Sequence, residues 1–422
     1  MVNLLDPAYP LTRRAARARQ HPIGPNMFVL TRHLNIPQAA NTNITQGTTT
    51  VFQAYKDNVA GTFRKSWPIR RRWKRSMRIA NNTGVACYQN SAIQSLMHLP
   101  KFVNWILTHN QQDNGGNIDW PCDRSGELRT CVACVLKNLA LVYWMNRNLR
   151  PTHVLTHEPE LRAFRTLAHR INNEREGSST RPPRQQDADE FLRHVFTHLE
   201  HSTQANIVTR INDEFEALFQ LYTLFLRVCD DCKTSRPGSQ HYLSVGLDTM
   251  NRFPDNREDS VQGVIDRHFA GDEPYTTTDP ACSCGSSRVQ RPYEIVSAPL
   301  YLRVVLPAHV PLDPTRRHKR HDHFPLDKTI DLTHWQQDPS TPLRYRLRGA
   351  MRHIGDSVNT GHYIADVTGP EGKIYRTNDA WDVLSNLPVG RRMIDNPVPA
   401  TNLDSNDDDA DAYTLFYERI KN

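Results

Sequence analysis

The chain contains no long uninterrupted apolar segment. No run of hydrophobic residues approaches the roughly 20 residues that a helix needs to cross a bilayer, and the first residues lack the apolar stretch of a secretory signal. Hydrophobic residues make up 38% of the chain and charged residues 23%, which is near the average for globular proteins. We therefore expect a soluble protein of the cytoplasm, the nucleus or both, with no membrane partner.

Cysteine is also scarce, with eight residues in a chain of 422. This number is too small for a disulfide scaffold of such a size. Cys87 stands alone, and the other seven fall into close groups: Cys122, Cys131 and Cys134; Cys229 and Cys232; Cys282 and Cys284. In a chain without an export signal, such close groups predict metal ligands before disulfides.

Acidic residues are nearly absent from the first 80 positions, which contain 14 Lys and Arg but only Asp6 and Asp57. The rest of the chain is net acidic. The run RRRWKR at 70–75 is typical of a nuclear localisation signal or a nucleic-acid patch, so weak nucleic-acid contact through residues 1–80 is one hypothesis. The alternative is a solvated basic segment with no dedicated partner. The Arg-rich run at 12–20 makes a mitochondrial presequence a further alternative, but Asp6 and several prolines in the flanking sequence are untypical of one.

Periodicity divides the chain. Residues 1–76 have weak periodicity and polar runs such as NTNITQGTTT, which predict a basic, loosely ordered extension. A folded domain is predicted over 77–421. Helical periodicity marks SAIQSLMHLPKFVNWIL, with a break near Pro100, and then CVLKNLALVYWMNRNL and DADEFLRHVFTHLEH. Strand-like alternation dominates after about residue 205, ending in AYTLFYERI. Helices followed by strands favour an α+β fold over a doubly wound sheet.

Cys87 lies where the polar turn of NNTGVACYQNSAIQSL, residues 81–96, becomes an apolar-periodic run. A helix N-terminus lowers the pKa of a thiol and can make it a nucleophile. Cysteine is also a small hydrophobe that is usually buried. This stretch alone leaves both interpretations open.

A cysteine nucleophile needs a base and a group that orients the base. His362 in GHYIAD follows a glycine and begins a predicted strand. GPEG at 369–372 is typical of a hairpin turn, which would bring Asn378 or Asp379 back to the His362 ring. For any one of the 19 histidines, a surface or structural role remains the alternative.

Four segments, in this order, resemble the ubiquitin-specific proteases. NTGVACYQNS at 82–91 is similar to the family's Cys box, QQDADEFL at 185–192 to its QQDAxEF segment, YRLRGAMRHIGDSVNTGHYIADV with IYRTNDAWDV to its His box, and AYTLFYERI to its closing strand. The resemblance covers about residues 77–420. It implies a papain-like thumb–palm–fingers fold with fingers at about 210–300. It also implies hydrolysis of the bond after the C-terminal glycine of ubiquitin, with ubiquitin and ubiquitinated proteins as partners.

The resemblance also implies roles for individual residues. Cys87 would be the nucleophile, present as a thiolate near neutral pH, and His362 the general base and acid. Asn378 would orient His362, with Asp379 as a second polar helper, and Asn82 would donate to the oxyanion. The implied substrate-binding residues are Gln186, Asp187, Gly361 and Tyr363, of which Asp187 would pair with arginines of the ubiquitin tail.

The sequence departs from the family pattern just before the nucleophile, where GVAC replaces the usual GNTC. Val85 and Ala86 therefore lack two hydrogen-bonding side chains. The catalytic residues themselves are present, which favours an active deubiquitinating enzyme. The alternatives are a catalytically weak ubiquitin-binding pseudoenzyme and a protease for a ubiquitin-like modifier.

The cysteine groups are similar to structural zinc sites of this family. CDDC at 229–232 and CSC at 282–284 would supply Cys229, Cys232, Cys282 and Cys284 as four thiolate ligands in the fingers. The second pair is one residue shorter than usual, and the tight turn beside Gly285 would have to present both sulfurs. A second zinc site would use Cys122, Cys131 and Cys134, with His109 as fourth ligand. The alternatives are empty sites, free thiols and, for the second group, cysteines packed under a helix.

Overall fold

The computed structural model describes residues 46–69, 77–81, 84–112, 116, 118, 120–122, 130–146, 154–176, 185–204, 209–235, 240–249, 260–271, 275–276, 282–306, 309–313, 316–319, 326–357, 360–379, 398–400 and 411–420.

The first part of the described chain is helical. The helices are α1 Gln46–Thr62, α2 Cys87–Met97, α3 Pro100–Ile106, α4 Val132–Ala140, α5 Pro159–Glu176, α6 Ala188–Gln204, α7 Thr209–Phe219 and α8 Val261–Ala270. A π-helical turn, Leu141–Met145, continues α4. The predicted break at Pro100 is confirmed, since Pro100 occupies the first turn of α3, where its missing N–H costs no hydrogen bond.

Helix α2 is the centre of the helical layer, and all eleven of its residues are buried. It packs against α6 on one side and against the large sheet on the other. Its polar side chains find partners inside the core: the Gln94 amide donates to the Met77 carbonyl at 2.9 Å, and the Ser95 hydroxyl to the Ser91 carbonyl at 2.9 Å. A buried helix can carry polar residues because such groups are hydrogen-bonded.

Strands dominate the second part of the described chain. They are β1 Arg78–Ile79, β2 Val154–Leu155, β3 Leu221–Phe225, β4 Val228–Cys229, β5 Gln240–Ser244, β6 Leu247–Asp248, β7 Tyr275–Thr276, β8 Arg288–Gln290, β9 Tyr293–Ser297, β10 Tyr301–Val305, β11 His309–Asp313, β12 Arg316–Lys319, β13 Thr329–Asp331, β14 Arg344–Ser357, β15 Thr360–Thr368, β16 Ile374–Thr377, β17 Val398–Ala400 and β18 Asp411–Ile420. The predicted α+β fold is confirmed, although α8 lies among the strands.

The largest sheet has eight strands, in the order β17-β16-β15-β14-β18-β10-β6, with β13 also paired to β14. Its pairs are antiparallel except β10 with β6. The predicted hairpin is confirmed, because the turn Pro370–Gly372 joins β15 to β16 and Ala365 pairs with Thr377. Continued one residue further, this register places Asn378 opposite Ile364, two residues from His362 on β15.

Two small three-stranded sheets lie inside the predicted fingers region. Their orders are β5-β3-β9 and β4-β8-β7. Cys229 ends β4, which pairs with β8 immediately after the second cysteine pair. Two segments about 50 residues apart are thus brought together by strand pairing.

Helix α1 corrects the prediction of a loosely ordered extension over 1–76. It packs against α7 and β9. The buried Lys56 ammonium donates to the Gln220 carbonyl at 2.7 Å, and the Ala298 N–H donates to the Gln53 side-chain oxygen at 2.7 Å. Residues 46–69 therefore belong to the fold, held by long-range contacts that local periodicity cannot reveal. Residues 1–45 and the basic run at 70–76 lie outside the described residues, so the nucleic-acid hypothesis stays a prediction.

Among the described helices, none combines the length and the apolar character required to cross a membrane.

Candidate active site

Cys87 is the first residue of α2, as predicted from the turn that precedes it. The turn contains Gly84 at φ +72°, a left-handed conformation that favours glycine. The Ala86 N–H donates to the Asn81 side-chain oxygen at 2.9 Å, which ties the turn to the helix start. The polar turn, the Gly and the helix start thus place the thiol at the positive end of a helix.

The protonation state expected for Cys87 has to be corrected. Burial raises the pKa of the Cys87 thiol to about 11, and a hydrogen bond from the Tyr363 backbone N–H only partly opposes this shift. Cys87 is 1% exposed, so losing water disfavours the thiolate more than the helix start favours it. In this conformation Cys87 is a thiol near neutral pH, so action as a nucleophile would require loss of its proton.

His362 lies on β15, the strand that packs against α2. Its ring nitrogen Nε2 is 2.8 Å from the side-chain oxygen of Asn378 and 3.5 Å from Oδ1 of Asp379. The hairpin brings both residues to the ring, as the sequence predicted. Because Nε2 faces Asn378, Nδ1 is the nitrogen left to exchange a proton with a thiol. The Tyr363 N–H on the Cys87 sulfur places that thiol next to the His362 backbone.

Asp379 is buried beside the histidine. Burial raises the pKa of its carboxyl group, while His362, a hydrogen bond from Asn90 and the charge of Arg165 oppose the rise. The Asn90 amide donates to Oδ2 of Asp379. Asp379 is therefore connected both to the histidine and to the nucleophile helix.

Gly361 could not be replaced by a residue with a side chain without movement of the backbone. Its φ is +123°, and a Cβ there would lie 2.2 Å from the Ile354 carbonyl oxygen and 3.0 Å from the His353 ring. The close approach of β14 and β15 next to His362 depends on this glycine.

The other predicted substrate-binding residues have mainly internal contacts. Gln186 is 4% exposed and Tyr363 1% exposed, and the Tyr363 ring packs edge-on against His353, with centroids 4.5 Å apart. Both side chains are buried inside the described structure, and their role in substrate binding stays a prediction. A motif match gives the position of a residue in the sequence but not the direction of its side chain, so the burial of these two residues could not be predicted from it.

Asp187 caps helix α6. One carboxylate oxygen accepts the Glu190 N–H at 2.8 Å, a typical N-cap bond, and the other accepts the Tyr413 hydroxyl. Burial is the main reason that its pKa is raised to about 6. Asp187 is thus anchored between α6 and β18, and its predicted contact with ubiquitin would use a carboxylate that already accepts two hydrogen bonds. Asn82 lies outside the described residues, so its oxyanion role stays a prediction.

The four fingers cysteines converge as predicted. Sγ of Cys229 is 3.5 Å from Sγ of Cys284, and Sγ of Cys232 is 3.5 Å from Sγ of Cys282. All four sulfurs lie within 4.8 Å of one another. Thiolates bound at about 2.3 Å from a tetrahedral Zn²⁺ would be about 3.8 Å apart, so the donor set and its spacing fit this ion.

Two tight turns present these sulfurs. In the first, the Cys229 N–H donates to the Thr234 carbonyl at 2.9 Å and Lys233 adopts φ 57°. In the second, the Gly285 N–H donates to the Cys282 carbonyl at 2.7 Å, with Gly285 at φ +88°. The left-handed glycine allows the short C-x-C spacing to present both of its sulfurs.

His109 joins the other cysteine group, as predicted. Its Nε2 is 3.2 Å from Sγ of Cys134 and 3.3 Å from Sγ of Cys131, and Sγ of Cys134 is 3.3 Å from Sγ of Cys122. The four ligand atoms lie within 4.8 Å of one another. The hydrogen bond from Cys134 is the main cause that lowers the pKa of Cys131 to about 3, while the pKa of Cys134 is raised. Ionisation of Cys131 thus disfavours ionisation of Cys134, and a divalent cation would favour the thiolate form of both.

Sequence reasoning missed Arg165. This residue on α5 donates to the Gln89 side-chain oxygen at 2.8 Å, to the Ala80 carbonyl at 3.1 Å and to the Asn90 side-chain oxygen. Arg165 lies in none of the family-like segments. The sequence shows it only as an arginine in an amphipathic helix, which does not indicate a role in the site.

The family described as ubiquitin carboxyl-terminal hydrolase (UCH) matches residues 80–417. The chain belongs to this family. Similar curated proteins include ubiquitin carboxyl-terminal hydrolase 36 of Drosophila virilis, 24% identical over 369 residues covering 83% of this chain and 27% of that protein. The same-named protein of Drosophila melanogaster is 25% identical over 332 residues, covering 74% of this chain and 29% of that protein. The chain therefore spans less than a third of these relatives.

Solved structures share the fold of this UCH chain. A chain of the SAGA DUB module Ubp8/Sgf11/Sus1/Sgf73 bound to monoubiquitin is similar with a TM-score of 0.62 and 20% identity, over 90% of this chain and 76% of that chain. A chain of the same module bound to ubiquitin aldehyde gives a TM-score of 0.61 and 19% identity, over 90% of this chain and 77% of that chain. The predicted thumb–palm–fingers architecture is thereby confirmed.

Proposed function

We propose that this chain is a cysteine-type deubiquitinase that cleaves the peptide or isopeptide bond after the C-terminal glycine of ubiquitin. The carrying observation is the 2.8 Å contact of His362 Nε2 with Asn378, because the next residue of the same strand, Tyr363, donates its backbone N–H to the Cys87 sulfur. Family membership and the ubiquitin-bound structural neighbours support ubiquitin as the partner.

Catalysis begins with loss of the Cys87 proton. Because burial keeps the sulfur protonated, His362 Nδ1 takes the proton as the thiolate attacks the glycine carbonyl carbon. Asn378 accepts the Nε2–H, so the ring keeps the tautomer that offers Nδ1. The tetrahedral intermediate then expels the amine, which receives the same proton from His362, and a thioester remains on Cys87.

Hydrolysis of the thioester reverses these roles. His362 removes a proton from water, the resulting hydroxide attacks the thioester carbonyl, and the sulfur leaves with the proton returned through His362. Ubiquitin departs with a free carboxylate. The N–H groups at the start of α2 provide positive charge near the developing oxyanion, and Asn82 is the proposed side-chain donor.

Both cysteine clusters would hold structural Zn²⁺. Four protein ligands complete a tetrahedral shell and leave no open position for a substrate. The metal would supply folding energy, and in the fingers it would hold the two cysteine turns together for contact with the body of ubiquitin.

Cleavage of ubiquitin with a fluorogenic C-terminal amide tests the activity. The full chain should hydrolyse it, and Cys87→Ala and His362→Ala should abolish turnover while ubiquitin binding persists. His334→Ala is the matched control, because His334 is exposed and its ring packs against Trp335, away from the proposed catalytic residues in the chain. Ubiquitin binding without hydrolysis by the wild type would favour a pseudoenzyme. Exclusive labelling by a ubiquitin-like electrophilic probe would identify another modifier as substrate.

A further inference from the structure

Arg165 lies at the meeting point of three segments that build the candidate site. One guanidinium nitrogen donates to Gln89 at 2.8 Å, and the other donates to the Ala80 carbonyl at 3.1 Å and to Asn90. Gln89 and Asn90 are in the first turn of α2, directly after Cys87. Ala80 precedes the turn that leads to the nucleophile. The planar Arg165 guanidinium therefore binds residues that lie before and after Cys87 in the sequence.

The hydrogen bonds of Arg165 extend through Asn90 to the carboxylate beside His362. The Asn90 side chain accepts from Arg165 through its oxygen and donates through its nitrogen to Asp379. Asp379 in turn lies 3.5 Å from His362 Nε2. The chain Arg165, Asn90, Asp379 thus connects the nucleophile helix with the group beside the base.

The charge of Arg165 has a second consequence. Asp379 is buried, and a buried carboxylate needs a compensating charge. Burial lowers the pKa of Arg165 to about 10, and attraction to Asp379 and to the anionic forms of Tyr88 and Cys87 acts against this shift, so the guanidinium stays charged near neutral pH. A cation at this position favours both the Asp379 carboxylate and a Cys87 thiolate.

We infer, on the basis of the proposed thiol-hydrolase function, that Arg165 is a positioning residue that holds Cys87 and the Asp379–His362 pair in reacting geometry through Asn90. It does not contact the reacting atoms. Its effect is exerted through the helix start and through the carboxylate.

Three variants of the full chain test this inference with the fluorogenic ubiquitin amide: Arg165→Gln, Arg165→Lys and, as matched control, Arg162→Gln. Arg162 is exposed on the same helix. Arg165→Gln should lower kcat by about tenfold or more and change KM by less than about twofold, since only transition-state geometry is lost. Arg162→Gln should match the wild type. Equal kcat in the two Gln variants, or a loss confined to KM, would overturn the inference.

The pH dependence of Cys87 alkylation separates positioning from a purely structural role. Without the cation, alkylation of Arg165→Gln should require higher pH than alkylation of the wild type. Arg165→Lys should restore the pH profile because it keeps the charge, but only part of kcat because it lacks the planar fork. A loss of kcat that follows a loss of folded protein, with an unchanged pH profile, would contradict the inference.

A double-mutant cycle tests the route through Asp379. In an Asp379→Asn background, Arg165→Gln should lower kcat much less than it does alone, because contacting residues are not additive. Fully additive losses would refute the route. If the wild type does not hydrolyse ubiquitin at all, the proposed function fails, yet the alkylation profiles of Arg165→Gln and Arg162→Gln still decide the role of Arg165.

Discussion

The Nε2 atom of His362 lies 2.8 Å from the side-chain oxygen of Asn378. A second acceptor, Oδ1 of Asp379, lies 3.5 Å from the same nitrogen. The nearer group is neutral and can hold the ring without gaining a proton. The farther group is a buried carboxyl that stabilises a charged imidazole.

These two acceptors predict that neither single variant removes all orientation of His362. Asn378→Ala should lower kcat while leaving residual activity, because Asp379 can approach the ring. Asp379→Ala should also lower kcat, and the double variant should lose more than either one. Steady-state kinetics on the ubiquitin amide measure the three losses. A double variant no worse than Asn378→Ala would show that Asp379 does not help to orient the ring.

The raised pKa of Cys87 predicts an unusual alkylation profile for the free enzyme. Because the folded-state pKa is about 11, the thiolate fraction is small at neutral pH and grows as the pH rises toward that value. The rate of iodoacetamide labelling should therefore keep rising through pH 9 to 10, with no plateau near neutrality. Cys87→Ala is the control that subtracts labelling of the other seven cysteines. A plateau below about pH 7, as in enzymes with a low-pKa thiol, would mean that a thiolate–imidazolium pair already exists.

The two ligand clusters predict two equivalents of zinc per chain, one for each group. Cys282→Ser should remove one equivalent and weaken ubiquitin binding, because the fingers turns lose their link. It should leave the alkylation rate of Cys87 unchanged. Cys131→Ser should remove the other equivalent. Elemental analysis of the purified variants measures the loss, and full zinc content in Cys282→Ser would show that the fingers cluster is not a metal site.

The docking of α1 predicts that Lys56 contributes to stability. Its cation is buried near Glu216, whose pKa burial raises to about 8 although the attraction of Lys56 lowers it. Lys56→Met removes the donor to the buried Gln220 carbonyl and should lower the free energy of unfolding by about 1–3 kcal/mol, the usual cost of leaving a buried acceptor without its hydrogen bond. Urea unfolding measures the change. Lys65→Met makes the same charge change at an exposed position and should have little effect; equal values for the two variants would mean that α1 is not held as described.

Local sequence determined the parts of this protein that depend on short stretches of chain. The turn before Cys87, the break at Pro100 and the GPEG hairpin follow from turn and helix-end chemistry. The hairpin in turn brings Asn378 to His362, so that contact could be predicted. The cysteine pairs and His109 could be matched to zinc because ligand type and spacing restrict the metal.

Tertiary structure alone decided the features that depend on burial and on distant partners. The pKa of Cys87 is high because β15 and the helices around α2 exclude water, which outweighs the local effect of a helix start. Gln186 and Tyr363 lie inside because of the elements packed over them.

Helix α1 and Arg165 could not be predicted because their partners are far away in sequence: Lys56 contacts Gln220, and Arg165 contacts Gln89. A single sequence carries no record of such pairings, because they arise only when the whole chain is packed.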